Sequence, residues 1–236
     1  MLTQTSSAVA SPRGTRTIGI AVIGKAPRPE IEALFASALP PDGRVVLVGC
    51  LDGFSDAQIE QLAPKDADDT LYTRLPDNRD AIISKTAVIA HAPAALARLR
   101  AAGASALVFA CTGHFPSLPG AQGVLFPSRL LAGLLSGLLP EGRLGILVPL
   151  AEQAPKLKEK WARPGVSVVA EALRPSAGND EVHRAAERLA THRPDVVAMD
   201  CMSYSPAAKR IVASIVGVPT LLANAATCHV LRAILE

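Results

Sequence analysis

Two cysteines at the carboxyl ends of apolar runs are the residues of this sequence whose types and spacing point most directly to chemistry. Cys111 ends the apolar run of ALVFACTGHFPS (106–117), and Cys201 ends that of VVAMDCMSYSPA (196–207). Each run follows a helix-like stretch with an Arg-Leu pair at the same offset, and each cysteine has a proline five residues later, at Pro116 and Pro206. The match predicts two related halves, each presenting a thiol at a strand-to-helix turn.

Two thiols on facing walls of a cleft can exchange the proton of a carbon atom between them. One thiolate removes the proton and the other thiol donates one from the far side, so the carbon is epimerised without a cofactor. Helix amino-termini at such turns favour a bound carboxylate and lower a thiol pKa toward neutrality. The alternative for Cys111 and Cys201 is simple packing, because free cysteine is among the most buried residue types. Cys50 and Cys228 have no such match and are expected to pack.

Polar residues near the two cysteines could hold a small anionic ligand. Arg28 would clamp a carboxylate through two parallel hydrogen bonds, or else be a surface residue that opens a helix. His114 is a candidate acid–base group, Tyr204 a pocket wall or hydrogen-bond donor, and Ser128 a helix cap and ligand contact. Asp200 would orient its loop, raise the thiol pKa, or cap the backbone. The predicted substrate-binding residues are Arg28, Arg74, Thr112, Gly113, His114, Ser128, Met202, Ser203 and Tyr204.

The elements that would position these residues alternate between strand-length apolar runs and helix-length amphipathic stretches. Such alternation is typical of α/β proteins with mostly parallel sheets and helices on both faces. Ligands of such sheets bind at the carboxyl ends of the strands, where both cysteines are predicted to lie. Strands are predicted at 17–24, 44–51, 106–111, 124–127, 143–150, 165–173, 196–200 and 218–224, and helices at 30–39, 90–103, 128–139, 151–161, 179–193, 205–217 and 225–236. An antiparallel hairpin is predicted at 70–86, where polar and apolar residues alternate around a Pro-Asp-Asn turn.

Composition and motif searches exclude several classes of function. The 236 residues are 49% apolar with a net charge of +3 from scattered basic residues, which argues against a nucleic-acid partner. No segment reaches 18 uninterrupted apolar residues, so no membrane span is expected. The four cysteines form no CxxC pair or zinc-type spacing, and neither GxGxxG nor GxxxxGK[ST] occurs, so no metal or nucleotide cofactor is expected. Residues 1–16 are expected to be a flexible tail without a secretory signal, in a cytoplasmic protein.

Several segments resemble the AroM family, within the aspartate/glutamate racemase superfamily that includes hydantoin racemases, maleate isomerases and arylmalonate decarboxylases. The segments that carry the resemblance are IGKAPRPE (23–30), LYTRLPDNRDAIIS (71–84), ACTGHFP (110–116), LFPSRLL (125–131), LGILVPLAEQ (144–153) and MDCMSYS (199–205).

The resemblance implies a fold of two Rossmann-like, three-layer lobes with mostly parallel sheets, related by a pseudo-twofold axis with a cleft between them. It implies one lobe at 17–117 plus 217–236, the other at 118–216, and cysteine loops at Cys111 and Cys201. Racemases of this group follow the first cysteine with Asn-Thr and the second with Thr-His. Here Thr112-Gly113 and Met202-Ser203 stand at those places, which weakens the expectation of glutamate or aspartate as the substrate.

The sequence and the resemblance together predict a cofactor-independent, PLP-independent racemase, epimerase or isomerase of a small carboxylate-bearing molecule. Cys111 and Cys201 would be its acid–base pair. One alternative is a single-cysteine nucleophile, as in cis–trans isomerases or decarboxylases of the superfamily. Another is a metabolite-binding or regulatory protein that kept the cleft and lost turnover. The expected partner is a small anionic substrate, and a homodimer is the expectation from base rates alone.

Overall fold

The structure, a computed structural model, describes residues 16–115 and 117–235. Residues 1–15 of the predicted tail lie outside the described residues, and so does Pro116, one of the two matched prolines. Strands are β1 (Thr17–Val22), β2 (Arg44–Gly49), β3 (Thr70–Arg74), β4 (Asp80–Ser84), β5 (Ala106–Phe109), β6 (Val124–Leu125), β7 (Gly142–Val148), β8 (Val166–Ala172), β9 (Val196–Met199) and β10 (Thr220–Leu222). Helices are α1 (Pro29–Ala36), α2 (Asp56–Glu60), α3 (Lys85–Ala101), α4 (Pro127–Leu138), α5 (Ala154–Trp161), α6 (Asn179–Thr191), α7 (Pro206–Val216) and α8 (Ala223–Leu235).

The strands form two parallel sheets and one hairpin. The first sheet has the order β2-β1-β5-β6, and the second has the order β10-β9-β7-β8. All strand pairs within both sheets are parallel, while β3 and β4 pair antiparallel. The central strands are continuous apolar runs because helices cover both of their faces. The predicted α/β class with mostly parallel sheets is confirmed.

One apolar cluster joins the two sheets. It contains Ile20 of β1 and Val108 of β5 together with Ile146 of β7, and none of these side chains is exposed. Leu135 of α4 and Leu231 of α8 belong to the same cluster. Because buried side chains of both sheets share this core, packing determines how the carboxyl ends of one sheet lie relative to those of the other.

Strand pairing runs across the predicted lobe boundaries. β6 pairs with β5 in the first sheet, although 118–216 is assigned to the second lobe. β10 pairs with β9 in the second sheet, although 217–236 is assigned to the first lobe. Sheet membership alone does not define a lobe, so the boundaries and the pseudo-twofold relation stay predictions.

One local prediction is corrected at a helix start, and one short helix was not predicted. α4 begins at Pro127 with Phe126 in the cap position, so Ser128 lies inside the first turn and does not cap the helix. Proline is preorganised for the first helical position, which explains why the helix starts there. The short helix α2 was not predicted, although its capping box of Ser55 and Gln58 is a sequence signal for a helix start.

Helices long and apolar enough to cross a bilayer do not occur between residues 16 and 115 or between 117 and 235.

We predict that Leu135→Ala lowers the free energy of unfolding by about 2–5 kcal/mol, because it leaves a cavity in the shared core. Leu138→Ala is the matched control in the same helix, since its side chain is 46% exposed whereas that of Leu135 is fully buried. The control is expected to change stability by less than about 0.5 kcal/mol. Urea denaturation followed by circular dichroism measures both, and equal effects would contradict the shared core.

Candidate active site

Cys111 and Cys201 line one cavity of about 70 Å³. Each lies two residues beyond the end of its strand, Cys111 after β5 of the first sheet and Cys201 after β9 of the second. Both side chains are mostly buried. The two strand ends that the sequence pairs by pattern are therefore brought to a single site.

The two sulfurs are held in the same way by the backbone. The N–H of Gly113 donates to Sγ of Cys111 at 3.3 Å, and the N–H of Ser203 donates to Sγ of Cys201 at 3.5 Å. The donor lies two residues after the cysteine in both loops. A hydrogen bond to sulfur favours the thiolate over the thiol.

Direct hydrogen bonds connect the two cysteine loops. The hydroxyl of Thr112 donates to the backbone oxygen of Asp200 at 3.0 Å. Nζ of Lys160 donates to the backbone oxygen of Thr112 at 2.9 Å and to Oδ2 of Asp200 at 3.0 Å. Nε1 of Trp161 donates to the same carboxylate oxygen at 2.8 Å. The residues adjoining the cysteines, Thr112 and Asp200, are thus fixed to each other and to α5.

Burial makes both thiols weaker acids than an ordinary cysteine. It raises the pKa of Cys111 to about 11, against the opposing effects of the Gly113 N–H and the charge of Lys160. It raises the pKa of Cys201 to about 12, and the neighbouring Cys111 and Asp200 act in the same direction. Both thiol pKa values are therefore raised, whereas the sequence predicted that they would be lowered toward neutrality.

The connections that follow the two cysteines differ. The predicted strand-to-helix turn exists after Cys201, where α7 begins at Pro206, but Cys111 is followed by a loop that leads to β6. The dipole effect of a helix is confined to its terminal turn. Cys201 lies five residues before α7 and its pKa is raised as well, so no helix amino-terminus offsets the desolvation of either thiol.

Arg28 lies at the cavity as a buried side chain, so the alternative of a surface residue is wrong. It is 3% exposed, and its guanidinium donates to Ser203 Oγ at 3.3 Å, to the Arg74 backbone oxygen at 3.0 Å and to Glu30 Oε1 at 2.6 Å. A guanidinium has five N–H donors, so two have no partner among the described residues after these three bonds. Arg28 can therefore contribute charge and free donors to a bound anion.

Other predicted binding residues divide between the cavity and its surroundings. Thr112, Gly113, Met202 and Ser203 line the cavity itself. His114 is exposed and lines an adjoining, larger cavity of about 510 Å³. The two cavities share four lining residues, Leu71, Gly113, Gln153 and Leu157. The larger cavity therefore adjoins the cavity of the two cysteines.

Besides His114, three predicted binding residues do not line the inner cavity. The Arg74 guanidinium donates to Asn78 at the hairpin turn, at 3.2 Å to its side-chain oxygen. The Tyr204 hydroxyl donates to the Leu173 backbone oxygen at 2.6 Å, and Tyr204 is not part of the cavity lining. Ser128 is buried in α4. In the structure, Tyr204 supports the second cysteine loop rather than facing the cavity.

Sequence reasoning missed several residues that surround the cysteines. Tyr72 of the hairpin lines the cavity, and its hydroxyl donates to Asp80 Oδ1 at 2.6 Å. Lys160 and Trp161 of α5 lie about 40 residues before Asp200 and about 50 residues after Thr112 in the sequence. No local motif therefore signals that they contact the cysteine loops. Gln153 lines both cavities. No sequence signal singles out Tyr72, because its strand neighbours Leu71 and Thr73 line the same cavity and strand alternation does not separate the three.

The hairpin reaches the cavity because a glycine lets it approach. A Cβ added to Gly24 would lie 2.8 Å from Oγ1 of Thr73, which also lines the cavity.

Among the residues that the structure describes, no group of three or more His, Cys, Asp or Glu side chains is arranged to hold a metal ion.

We predict that Gly113→Ala slows alkylation of Cys111 by iodoacetamide. The new methyl would lie 3.3 Å from the Cys111 sulfur and 3.0 Å from Cδ2 of Leu71, so it narrows access to the thiol. Overpacking is expected to cost roughly 1–3 kcal/mol of stability. Gly133→Ala is the control, because its methyl meets nothing within 4 Å. Peptide mass spectrometry measures the rate, and an unchanged Cys111 rate would contradict the narrow access.

The model of the family described as "AroM protein" matches residues 18–235. Comparison with curated proteins finds no match.

Several solved structures share the fold. An unliganded arylmalonate decarboxylase is 15% identical, with a TM-score of 0.61 over 94% of this chain and 92% of that one. A glutamate racemase from Bacillus anthracis is 15% identical, with a TM-score of 0.61 over 93% and 81%.

A maleate cis-trans isomerase from Nocardia farcinica, in a mutant with a covalently bound succinylcysteine intermediate, is 18% identical, with a TM-score of 0.59 over 94% and 93%. At these identities the likeness is one of fold. The family match, however, runs from β1 to α8 and includes both cysteine loops, so the chain belongs to the AroM family.

Proposed function

We propose that this protein is a cofactor-independent racemase, epimerase or isomerase of a small carboxylate-bearing molecule, with Cys111 and Cys201 as its acid–base pair. The observation that carries the proposal is that both thiols line one small cavity, each with a backbone N–H directed at its sulfur. The shared fold with a decarboxylase, a racemase and an isomerase supports the same class of chemistry.

Arg28 is the group proposed to hold the substrate carboxylate. It is a buried cation in the cavity lining, and two of its N–H donors have no partner within residues 16–115 and 117–235. Its bonds to Ser203 and to the Arg74 backbone hold the guanidinium between the second cysteine loop and the hairpin. A carboxylate bound there would accept charge-assisted hydrogen bonds, which are stronger than neutral ones.

The proposed reaction needs one thiolate and one thiol. The thiolate takes the proton next to the carboxylate, and the electron pair of the broken C–H bond moves into the carboxylate as an enolate. The positive charge of Arg28 stabilises that enolate. The second thiol then gives its proton to the opposite face of the carbon. No net oxidation occurs, and the two cysteines end with their protonation states exchanged.

We predict that Cys111→Ser and Cys201→Ser each abolish deuterium incorporation next to the carboxylate of the substrate. A hydroxyl is too weak an acid to replace either thiol at neutral pH. The assay incubates the protein in heavy water with small 2-substituted carboxylic acids and follows loss of the C–H signal by proton NMR. Cys228→Ser is the matched control, because that thiol donates to the Leu34 backbone oxygen at 3.7 Å, outside the cavity lining. Full exchange in both variants would disprove the two-thiol reaction.

We also predict that the exchange rate rises as pH increases from 7 to 10. Since burial raises the pKa of Cys111 to about 11 and that of Cys201 to about 12, both are neutral thiols at pH 7. Below these values, each pH unit increases the thiolate fraction about tenfold. Initial rates in deuterated buffers, corrected for uncatalysed exchange, measure the profile. A flat or falling profile would show that thiol ionisation does not limit the reaction.

A single-cysteine nucleophile is the second candidate. It is favoured by the unequal surroundings of the two sulfurs, because Lys160 contacts the residue after Cys111 while no lysine contacts the residue after Cys201 among the hydrogen bonds of the described residues. A nucleophile would form a covalent adduct, as in the isomerase mutant above. Intact-mass measurement after rapid quenching distinguishes the two reactions, since proton exchange leaves the mass of the protein unchanged.

A further inference from the structure

Lys160 connects the two cysteine loops through a single ammonium group. Its Nζ donates to the Thr112 backbone oxygen, directly after Cys111, and to the carboxylate of Asp200, directly before Cys201. α5, which carries Lys160, also supplies Leu157 to both cavities. One side chain therefore contacts both loops that carry a thiol.

The ion pair between Lys160 and Asp200 is desolvated. The Asp200 side chain is 1% exposed and that of Lys160 is 18% exposed. Oδ2 of Asp200 accepts from Lys160 and Trp161, while its Oδ1 is buried and has no hydrogen-bond partner among the described residues. Lys160 also lies 4.3 Å from the centre of the Trp161 ring. Charges in such surroundings act strongly on neighbouring groups because little water screens them.

The charges around Cys111 are mixed in sign. Lys160 and Lys85, the first residue of α3, favour its thiolate, whereas Asp200 opposes it. Two further thiols, Cys50 and Cys201, interact with it electrostatically.

The charges around Cys201 are mainly unfavourable to its thiolate. Asp200 and Cys111 oppose ionisation. The hydroxyls of Tyr72 and Tyr204 also interact with it.

One further cation approaches the second cysteine loop. The Arg28 guanidinium reaches the hydroxyl of Ser203, and Glu30 pairs with that guanidinium at 2.6 Å. The half-exposed Glu30 carboxylate offsets part of this positive charge at Cys201. Lys160 contacts the backbone directly after Cys111, whereas beside Cys201 it is paired with the Asp200 carboxylate, so the two thiols have unequal surroundings.

We propose that Lys160 is a positioning residue that ties the two cysteine loops together and directs proton loss to Cys111 rather than Cys201. This inference builds on the proposed function in one respect, since it makes Cys111 the base that removes the substrate proton and Cys201 the acid. The bias itself is a property of the free protein.

The inference is tested by the pH dependence of iodoacetamide alkylation, from pH 7 to 10, at each cysteine. The four cysteines fall on different tryptic peptides, so mass spectrometry reports each rate, and Cys228 serves as the internal reference. In Lys160→Gln the Cys111 rate at a given pH is expected to fall roughly three- to tenfold, because its thiolate loses a favourable charge. Lys160→Arg keeps the charge and is expected to stay close to the original protein.

A purely structural role gives a different result. If Lys160 only held the loops closed, its loss would open the site, and Cys111 and Cys201 would both react faster. That outcome, or unchanged rates at both thiols, would overturn the proposed bias.

A second variant keeps the test valid if Lys160→Gln alone fails to fold. Removing one partner of a buried pair strands the other charge, whereas Lys160→Gln with Asp200→Asn leaves a neutral pair. In the double variant, Cys111 is expected to react more slowly, because at Cys111 the favourable charge of Lys160 outweighs the unfavourable charge of Asp200. Cys201 is expected to react faster, because Asp200 opposes its ionisation. Any other pattern overturns the inference. No substrate is used, so failure of the proposed isomerase activity would leave this result interpretable.

Discussion

The apolar core shared by the two parallel sheets is the constraint on which the rest of the structure depends. Ile20 and Val108 of the first sheet belong to the same buried cluster as Ile146 of the second. Because that packing sets the relation between the sheets, the strand ends that carry Cys111 and Cys201 meet at one cavity. Neither sheet alone could form the site, since each supplies one thiol.

Bringing two thiols into that cavity has an electrostatic cost. Burial raises both thiol pKa values, and the structure offsets part of this with backbone N–H groups on the sulfurs and with Lys160. Asp200 acts in the opposite direction but gives the lysine a buried partner. The same ion pair that fixes the loops therefore makes them electrostatically unequal, and this asymmetry separates the proposed acid from the proposed base.

The parts of the fold predicted well from sequence are those with a local physical signal. Apolar runs of strand length gave the parallel strands, and the Pro-Asp-Asn turn gave the hairpin. Where two local signals competed, prediction failed: Pro127 starts α4, so Ser128 is not its cap. The loop after Cys111 leads to β6 instead of a helix, and the predicted lowering of its thiol pKa was wrong because desolvation is a property of packing.

The sequence by itself determined the α/β class and singled out Cys111 and Cys201, because hydrophobic periodicity and a matched pattern are both written along the chain. Tertiary structure alone decided that the two thiols share a cavity and that Arg28 is buried beside it. It also decided that Lys160 of α5 joins their loops. These last features depend on contacts between residues about 40 to 175 positions apart, and such contacts leave no periodic or local trace in a single sequence.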